Sequence, residues 1–146
     1  MPPKAADHPD VQVFKEIGRI EQLARMAVTR CLPVGLTYPQ YEVLNLLART
    51  GDGITPAEIA TALQLTKNGL TNTLQRLEAR SLVRVAPRED DRRKKRVLLT
   101  AEGQQAYAQA MDRVRPKLDG LRDGFTQKEF REALPFLKAL RTWLEH

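Results

Sequence analysis

Two helix-start signals, Thr55-Pro56-Ala57-Glu58 and Thr66, stand so close together that any helix between them must be short. Thr55 and Glu58 have the spacing of a capping box, and Pro56 occupies the first helical position, where its missing N–H costs nothing. That short helix turns Ile59, Ala60 and Leu63 inward. After Gln64-Leu65, Thr66 caps a further helix that buries Leu70, Leu74 and Leu77. Two helices joined by about three or four residues, with a small residue (Ala60) where they approach, form a helix-turn-helix. Gln64 stands in the turn where Gly is common.

Charge singles out the same region. Thr66 to Thr100 holds ten Lys and Arg against four acids, a net of +6, and the whole chain also carries +6, so the remainder sums to zero. A basic excess confined to one stretch is the mark of a polyanion-binding face. Opposite its buried stripe, the second helix presents Lys67, Asn68, Thr71, Asn72 and Gln75. A merely solvated face normally carries Glu–Lys pairs four apart. Asn and Gln instead make paired hydrogen bonds to adenine, and Thr contacts the thymine methyl, so these five residues are predicted to read bases in duplex DNA. Thr66 and Arg76 are expected on the DNA backbone. Gly69, unfavourable in a helix by about 1 kcal/mol relative to Ala, suits either close approach to the groove or simple tolerance near a helix end.

Leu82 to Val85 and Arg96 to Leu99 are short β-prone runs. The segment between them, APREDDRRKKR, is too charged for a core. Two strands with a basic tip directly after a helix-turn-helix make a winged helix. Arg92 and Arg93 are placed for the minor groove, where negative potential is enhanced, and Lys94, Lys95 and Arg96 for flanking phosphates. Acids would weaken a pure phosphate clamp, so Asp91 is expected to orient a neighbouring arginine. A solvated loop that is basic by chance is the plainer alternative; its position after the helix-turn-helix speaks against it.

The flanks are helical. From about Asp10 to Leu32, Val13, Ile17, Ile20, Ala24, Ala27 or Val28, and Cys31 line one face, widened by Phe14, Leu23 and Met26. Pro33 and Gly35 end this helix, and the first ten residues are expected to form a loose arm. Thr37 and Gln40 make a capping box for a helix to about Arg49, with Leu44, Leu47 and Ala48 inward, and Thr50-Gly51-Asp52-Gly53 is a turn. Thr100 starts a long helix with the stripe Tyr107, Met111, Val114, Leu118 and Leu121; Pro116 is expected to kink or split it, and Asp119 to Gly124 to break it. Thr126 and Glu129 form another box, Phe125 and Phe130 a hydrophobic staple, and the last helix, despite Pro135, is expected to bury Phe130, Leu134, Leu137 and Leu144. These apolar faces exceed what one small chain covers, which predicts a symmetric homodimer.

With 146 residues and 42% hydrophobic composition, the chain suits one compact domain, or a small domain on helical extensions. No apolar run approaches the roughly 18 residues of a membrane span, and the N-terminus lacks a signal-peptide core, so a cytoplasmic location is expected. His8 and His146 lie in opposite tails, and there is neither a Cys/His cluster nor a glycine-rich phosphate loop. No enzyme, metal or cofactor is therefore expected.

The order of elements resembles the MarR transcriptional regulators. The match is carried by Leu36-Thr37-Tyr38-Pro39-Gln40-Tyr41-Glu42-Val43-Leu44, by Thr66 to Leu77 with Leu77-Glu78-Ala79-Arg80-Ser81-Leu82-Val83, and by Asp91-Arg92-Arg93 leading to Leu99-Thr100-Ala101-Glu102-Gly103. Ser81 replaces the common Gly before the first wing strand. The resemblance implies a mainly α winged helix-turn-helix at 37–100, with 1–36 and 101–146 as the dimerisation region. It also implies a homodimer that binds a near-palindromic operator and usually represses, with a pocket for a small, often aromatic, effector. Met26, Tyr38 and Tyr41 are the candidate pocket residues, with ordinary core packing as the plainer reading of all three. The rival reading is a non-specific or architectural winged-helix DNA binder, or a protein-interaction module. One branch of the family senses hydroperoxides through a cysteine near the start of the first helix. Cys31 lies at the end of that helix and is read instead as a small apolar core or interface residue. Hydroperoxide should accordingly leave DNA affinity unchanged, in the native chain as in Cys31→Ser; an oxidant-induced loss that Cys31→Ser abolishes would reverse this reading.

Overall fold

The computed structural model describes residues 8–51 and 53–146. Residues 1–7 of the expected N-terminal arm, and Asp52 of the expected turn, lie outside the described residues. The chain falls into two compact units, Met1–Arg113 and Val114–His146. The first holds α1 (Pro9–Cys31), α2 (Tyr38–Thr50), α3 (Pro56–Leu63), α4 (Lys67–Ala79), β1 (Val83–Pro87), β2 (Lys95–Leu99) and the beginning of α5 (Ala101–Gly124). The second holds the end of α5 and α6 (Gln127–Leu144). The architecture is mainly helical with one antiparallel hairpin, as the sequence predicts.

Helix starts follow the threonines. Thr37 and Thr126 form complete capping boxes with Gln40 and Glu129, and the Phe125 and Phe130 rings lie 6.2 Å apart. Thr55 forms only half of its expected box. Its hydroxyl accepts the Glu58 N–H (3.2 Å) but donates to the Glu58 carboxylate (3.1 Å), so that carboxylate engages the hydroxyl and not the cap N–H. Thr66 accepts from the Gly69 N–H at 3.0 Å, and a Cβ on Gly69 would stand 3.0 Å from the same hydroxyl oxygen. The small residue thus leaves this cap uncrowded.

Both places where Gly was the commoner residue adopt the left-handed conformation: Gln64 has φ 54° and Ser81 φ 59°. Each carries a strain of about 1–2 kcal/mol that Gly would lack. The hairpin is longer than predicted. Pro87, assigned to the loop, closes β1 opposite Lys95, a strand end where the ladder tolerates a missing N–H. Sequence patterning also missed Ile54, whose carbonyl accepts the Val97 N–H at 2.9 Å and adds a one-residue bridge beside β2.

Val43, Leu44 and Leu47 of α2, Ile59 of α3, Leu77 of α4 and Val97 of β2 are fully buried and form the core of the first unit. Each contributes about 1.5–3 kcal/mol of burial. The outer helices differ in part from expectation. α5 runs unbroken through Pro116 to Gly124, and α6 continues through Pro135 as expected, since an interior proline removes one backbone bond and the flanking turns retain theirs. Phe130, Leu134, Leu137 and Leu144, expected inside, are 40–60% exposed in the single chain. Leu118 and Leu121 of α5 and Phe14, Ile17, Ile20, Leu23 and Met26 of α1 are exposed too.

The hairpin is tied to α5 by a tight contact. Thr100 donates its hydroxyl to the Ser81 carbonyl (2.6 Å) and its N–H to the Leu82 carbonyl (3.2 Å), and accepts the Gly103 N–H (2.9 Å). A Cβ on Gly103 would fall 2.0 Å from the Leu82 carbonyl oxygen. Backbone must move to admit it, so Gly103→Ala should destabilise the fold by about 3 kcal/mol, the upper range of overpacking. Thermal or urea unfolding measures this; a change below about 0.5 kcal/mol would show that the junction relaxes.

Candidate nucleic-acid interface

Helix α4 sorts its side chains by period. Leu70, Thr73, Leu74 and Leu77 are buried, which leaves Lys67, Asn68, Thr71, Asn72 and Gln75 exposed on the other side. Thr71 donates its hydroxyl to the Lys67 carbonyl (2.8 Å), so its methyl is the group left for outside contact. Asn72 accepts from the Arg76 guanidinium at 3.4 Å, one turn on. Arg76 therefore faces the same side as the amides.

In the hairpin tip, each of the three acids holds a different arginine. Asp90 takes Arg88 through two hydrogen bonds (2.9 and 2.7 Å), Glu89 reaches Arg96 at 3.5 Å, and Asp91 takes Arg93. Asp91 accepts both the Arg93 backbone N–H (3.0 Å) and its guanidinium (3.2 Å). The arginine held by Asp91 is thus Arg93 and not Arg92. The Arg93 side chain remains 91% exposed, aimed but not covered. These bonds hold the Asp91 carboxyl below the usual carboxylate range, and Arg88 does the same for Asp90. Since protonation is disfavoured in the folded wing, both pairs persist at neutral pH and are lost only as pH falls through the lowered values.

Arg92, Lys94 and Lys95 pair with no acid among the described residues. Arg96, grouped with them by sequence, behaves differently. Its stem lies over Gly53, where a Cβ would approach its Cδ to 2.8 Å, and its Nε is buried without a partner. Packing against the Gly53 backbone, which sits at φ 41°, makes Arg96 a residue of the wing base.

Four of the predicted DNA-contacting residues, Lys67, Arg93, Lys94 and Lys95, meet at one open cleft of about 560 Å³, whereas Thr66, Asn68, Thr71, Asn72, Gln75, Arg76, Arg92 and Arg96 do not line it. Thr55, Pro56 and Ala57 at the start of α3, Lys67 of α4, and Arg88, Arg93, Lys94 and Lys95 of the wing line it, with Glu58 the one acid. Five cations around a concavity attract a polyanion strongly. Beside it, Pro56, Ala57, Ala60, Leu70 and Thr71, with Lys67 shared between the two, form a more apolar slot between α3 and α4. The first turn of α3 was read from sequence as a helix start and not as part of the site; only the fold carries it to the wing.

The predicted pocket residues lie elsewhere in the first unit. Tyr38 and Tyr41 are 6.2 Å apart, and Tyr41 stacks on Tyr107 at 6.4 Å. The Tyr41 hydroxyl meets the Met111 sulfur (3.4 Å), and Tyr107 donates to Asn45 (2.9 Å). Arg25, paired with Glu21, sits 5.4 Å over the Tyr38 ring. Burial raises the pKa values of Tyr38, Tyr41 and the neighbouring Glu42. Met26 is exposed and Cys31 half-buried. Among the described residues, no group of His, Cys, Asp and Glu could hold a metal ion, and no helix is long and apolar enough to cross a membrane.

Against known proteins, the pattern of the MarR family matches residues 34–94, the stretch from the α1–α2 turn into the wing. The HTH-type transcriptional regulator PecS of Dickeya dadantii is 37% identical over 101 residues; the match covers 64% of this chain and spans 60% of the length of PecS. A mutant of MarR from E. coli, solved in complex with operator DNA, superposes with a TM-score of 0.78 at 25% identity, over 94% of this chain and 99% of that one. The MarR family is what this chain resembles, in sequence from the α1–α2 turn to the wing and in fold along most of its length. Its fold is also that of BldR from Sulfolobus solfataricus, with a TM-score of 0.79 at 21% identity over 94% of this chain and 99% of BldR. Within this wing, the two readings of Asp91 predict opposite signs. Asp91→Asn removes a negative charge, which by charge alone would tighten binding to duplex DNA. Loss of the Arg93 support should instead weaken it, by about fivefold to tenfold if one charge-assisted bond is lost. Fluorescence anisotropy on a DNA duplex reads the sign, and tighter binding would mean that Asp91 does not aim Arg93.

Proposed function

We propose that this chain is a sequence-specific regulator of transcription that binds duplex DNA as a homodimer on a near-palindromic operator and usually represses. The observation that carries this reading is the pairing of a nearly neutral amide and hydroxyl face on α4 with a cationic cleft at the wing. The first suits base edges in the major groove, and the second suits phosphates and the minor groove. Lys67, Asn68, Thr71, Asn72 and Gln75 read bases; Thr66, Arg76, Lys94 and Lys95 face the backbone; Arg93, held by Asp91, enters the minor groove. Arg96 seats the wing in place of touching phosphate. The operator complex of the E. coli MarR mutant, and the naming of PecS as a transcriptional regulator, support the same assignment by kinship.

Residues 37–100 form the DNA-binding module, and 1–36 with 101–146 the dimerisation region. The exposed Phe14, Ile20 and Leu23 of α1, and Leu134, Leu137 and Trp143 of α6, support dimerisation, because a lone soluble chain rarely leaves so many large apolar side chains in water. A small aromatic effector beside Tyr38, Tyr41 and Met26 would act by population shift: binding better to a dimer with misplaced α4 helices, it lowers DNA affinity by the same coupling free energy. The expected location is the cytoplasm.

Selection of bound sequences from a random duplex pool, with light scattering on the free protein, tests these statements together. Two-copy mass is expected, with two half-sites about one helical turn apart. Asn72→Ala or Gln75→Ala should relax preference at one base pair by about 1–3 kcal/mol, whereas Arg93→Ala should weaken binding across sequences. Binding without an enriched motif would favour the architectural alternative, and a one-chain mass at micromolar concentration would remove the dimer.

A further inference from the structure

Arg80 directly follows α4, and its guanidinium donates to the Gly35 carbonyl at 2.7 Å, across 45 residues of sequence. Gly35 belongs to the turn between α1 and α2. Its φ of +88° is a conformation that L side chains rarely adopt. The turn itself is seated by buried Leu32 and Leu36, by the Leu36 N–H on the Pro33 carbonyl (3.1 Å), and by Arg113, which donates to the Leu32 carbonyl (3.5 Å). On its other side, the end of α4 is gripped through Ser81 and Leu82 by Thr100 and Gly103. The C-terminal end of α4 is therefore clamped between the turn that ends α1 and the start of α5. In its first turns Leu70 is buried, while Lys67, Asn68 and Thr71 are exposed and make no contact of this clamping kind among the described residues.

A helix of 13 residues is about 20 Å long, so a tilt of about 10° at the clamped end displaces the far end by about 3 Å, the length of a hydrogen bond. Such a displacement removes base contacts while long, flexible Lys and Arg still reach phosphates. We propose that Arg80 is a positioning residue for sequence reading: its bond to Gly35 fixes the tilt of α4 against the α1–α2 turn. This rests on the DNA-binding reading above and adds a contact at the end of α4 remote from Lys67. Through it, a movement of the end of α1 reaches the helix that reads bases.

The test is fluorescence anisotropy with the full chain on its selected duplex and on a random duplex, over a salt series. Arg80→Ala should weaken the selected duplex about tenfold, the scale of one charge-assisted hydrogen bond, while random-duplex affinity changes less than about twofold and the salt slope stays constant. Gly35→Ala alters no charge, and its Cβ would lie 4.0 Å from the Arg80 guanidinium, yet it strains the turn that presents the acceptor. It should give a similar loss, with the double variant no weaker than the worse single one. Equal losses on both duplexes with a salt slope smaller by about 1 would make Arg80 a phosphate contact and overturn the proposal, as would an unchanged selected-duplex affinity or additive losses. Arg80 is exposed, so its substitution should leave thermal unfolding nearly unchanged, and its salt slope decides the matter even if Gly35→Ala fails to fold. Were the native chain to enrich no sequence, the DNA-reading assignment would fail before any variant was made, and the role of Arg80 with it.

Discussion

The rotational setting of α4 is the constraint on which the rest of the proposed DNA-binding face depends. Leu70, Leu74 and Leu77 are buried against a core built from Leu44, Leu47, Ile59 and Val97. With 3.6 residues per turn, fixing those three also fixes the direction of Asn68, Asn72 and Gln75. Burying a leucine is worth about 1.5–3 kcal/mol, whereas an exposed Asn or Gln contributes little to stability. The core sets the helix phase, and the outward face is left free to be selected for what it touches.

The wing follows a different logic. Its ion pairs are exposed, and pairs of that kind contribute about 0–1 kcal/mol to folding. Their value lies in direction. Asp91 binds both the backbone and the guanidinium of Arg93, which restricts a side chain that would otherwise sample many rotamers. Order imposed before DNA arrives need not be imposed on binding. Arg96 shows the complementary case, a cation drawn away from the surface because Gly53 leaves room for its stem.

The helical ends leave apolar side chains uncovered within the single chain. α6 carries apolar residues at helical spacing, yet Phe136, Trp143 and Leu144 are more than half exposed. Proposing a second copy as their cover gives these side chains a role that the internal core does not. It also gives the α1–α2 turn mechanical meaning, because Arg80 ties that turn to the end of α4.

Much of the fold was legible in the sequence, since its signals are local. Thr37, Thr66 and Thr126 mark helix starts through bonds to residues three positions on, and the alternation of apolar and polar positions along α4 separates core from face. Local signals misled where neighbouring helical turns or a competing contact decided the outcome. Pro116 did not split α5, Thr55 shared its hydroxyl with Glu58, and Arg96, one cation among several in the written chain, found Gly53 and Glu89. By itself, the sequence determined which residues cap, which face outward and where positive charge accumulates, because those properties follow from spacings of one to four residues. The tertiary structure alone decided that the first turn of α3 joins the wing in one cleft, that Arg96 packs over Gly53, and that Arg80 meets Gly35. Those contacts depend on where the chain returns in space, which the spacing of residues along it does not encode.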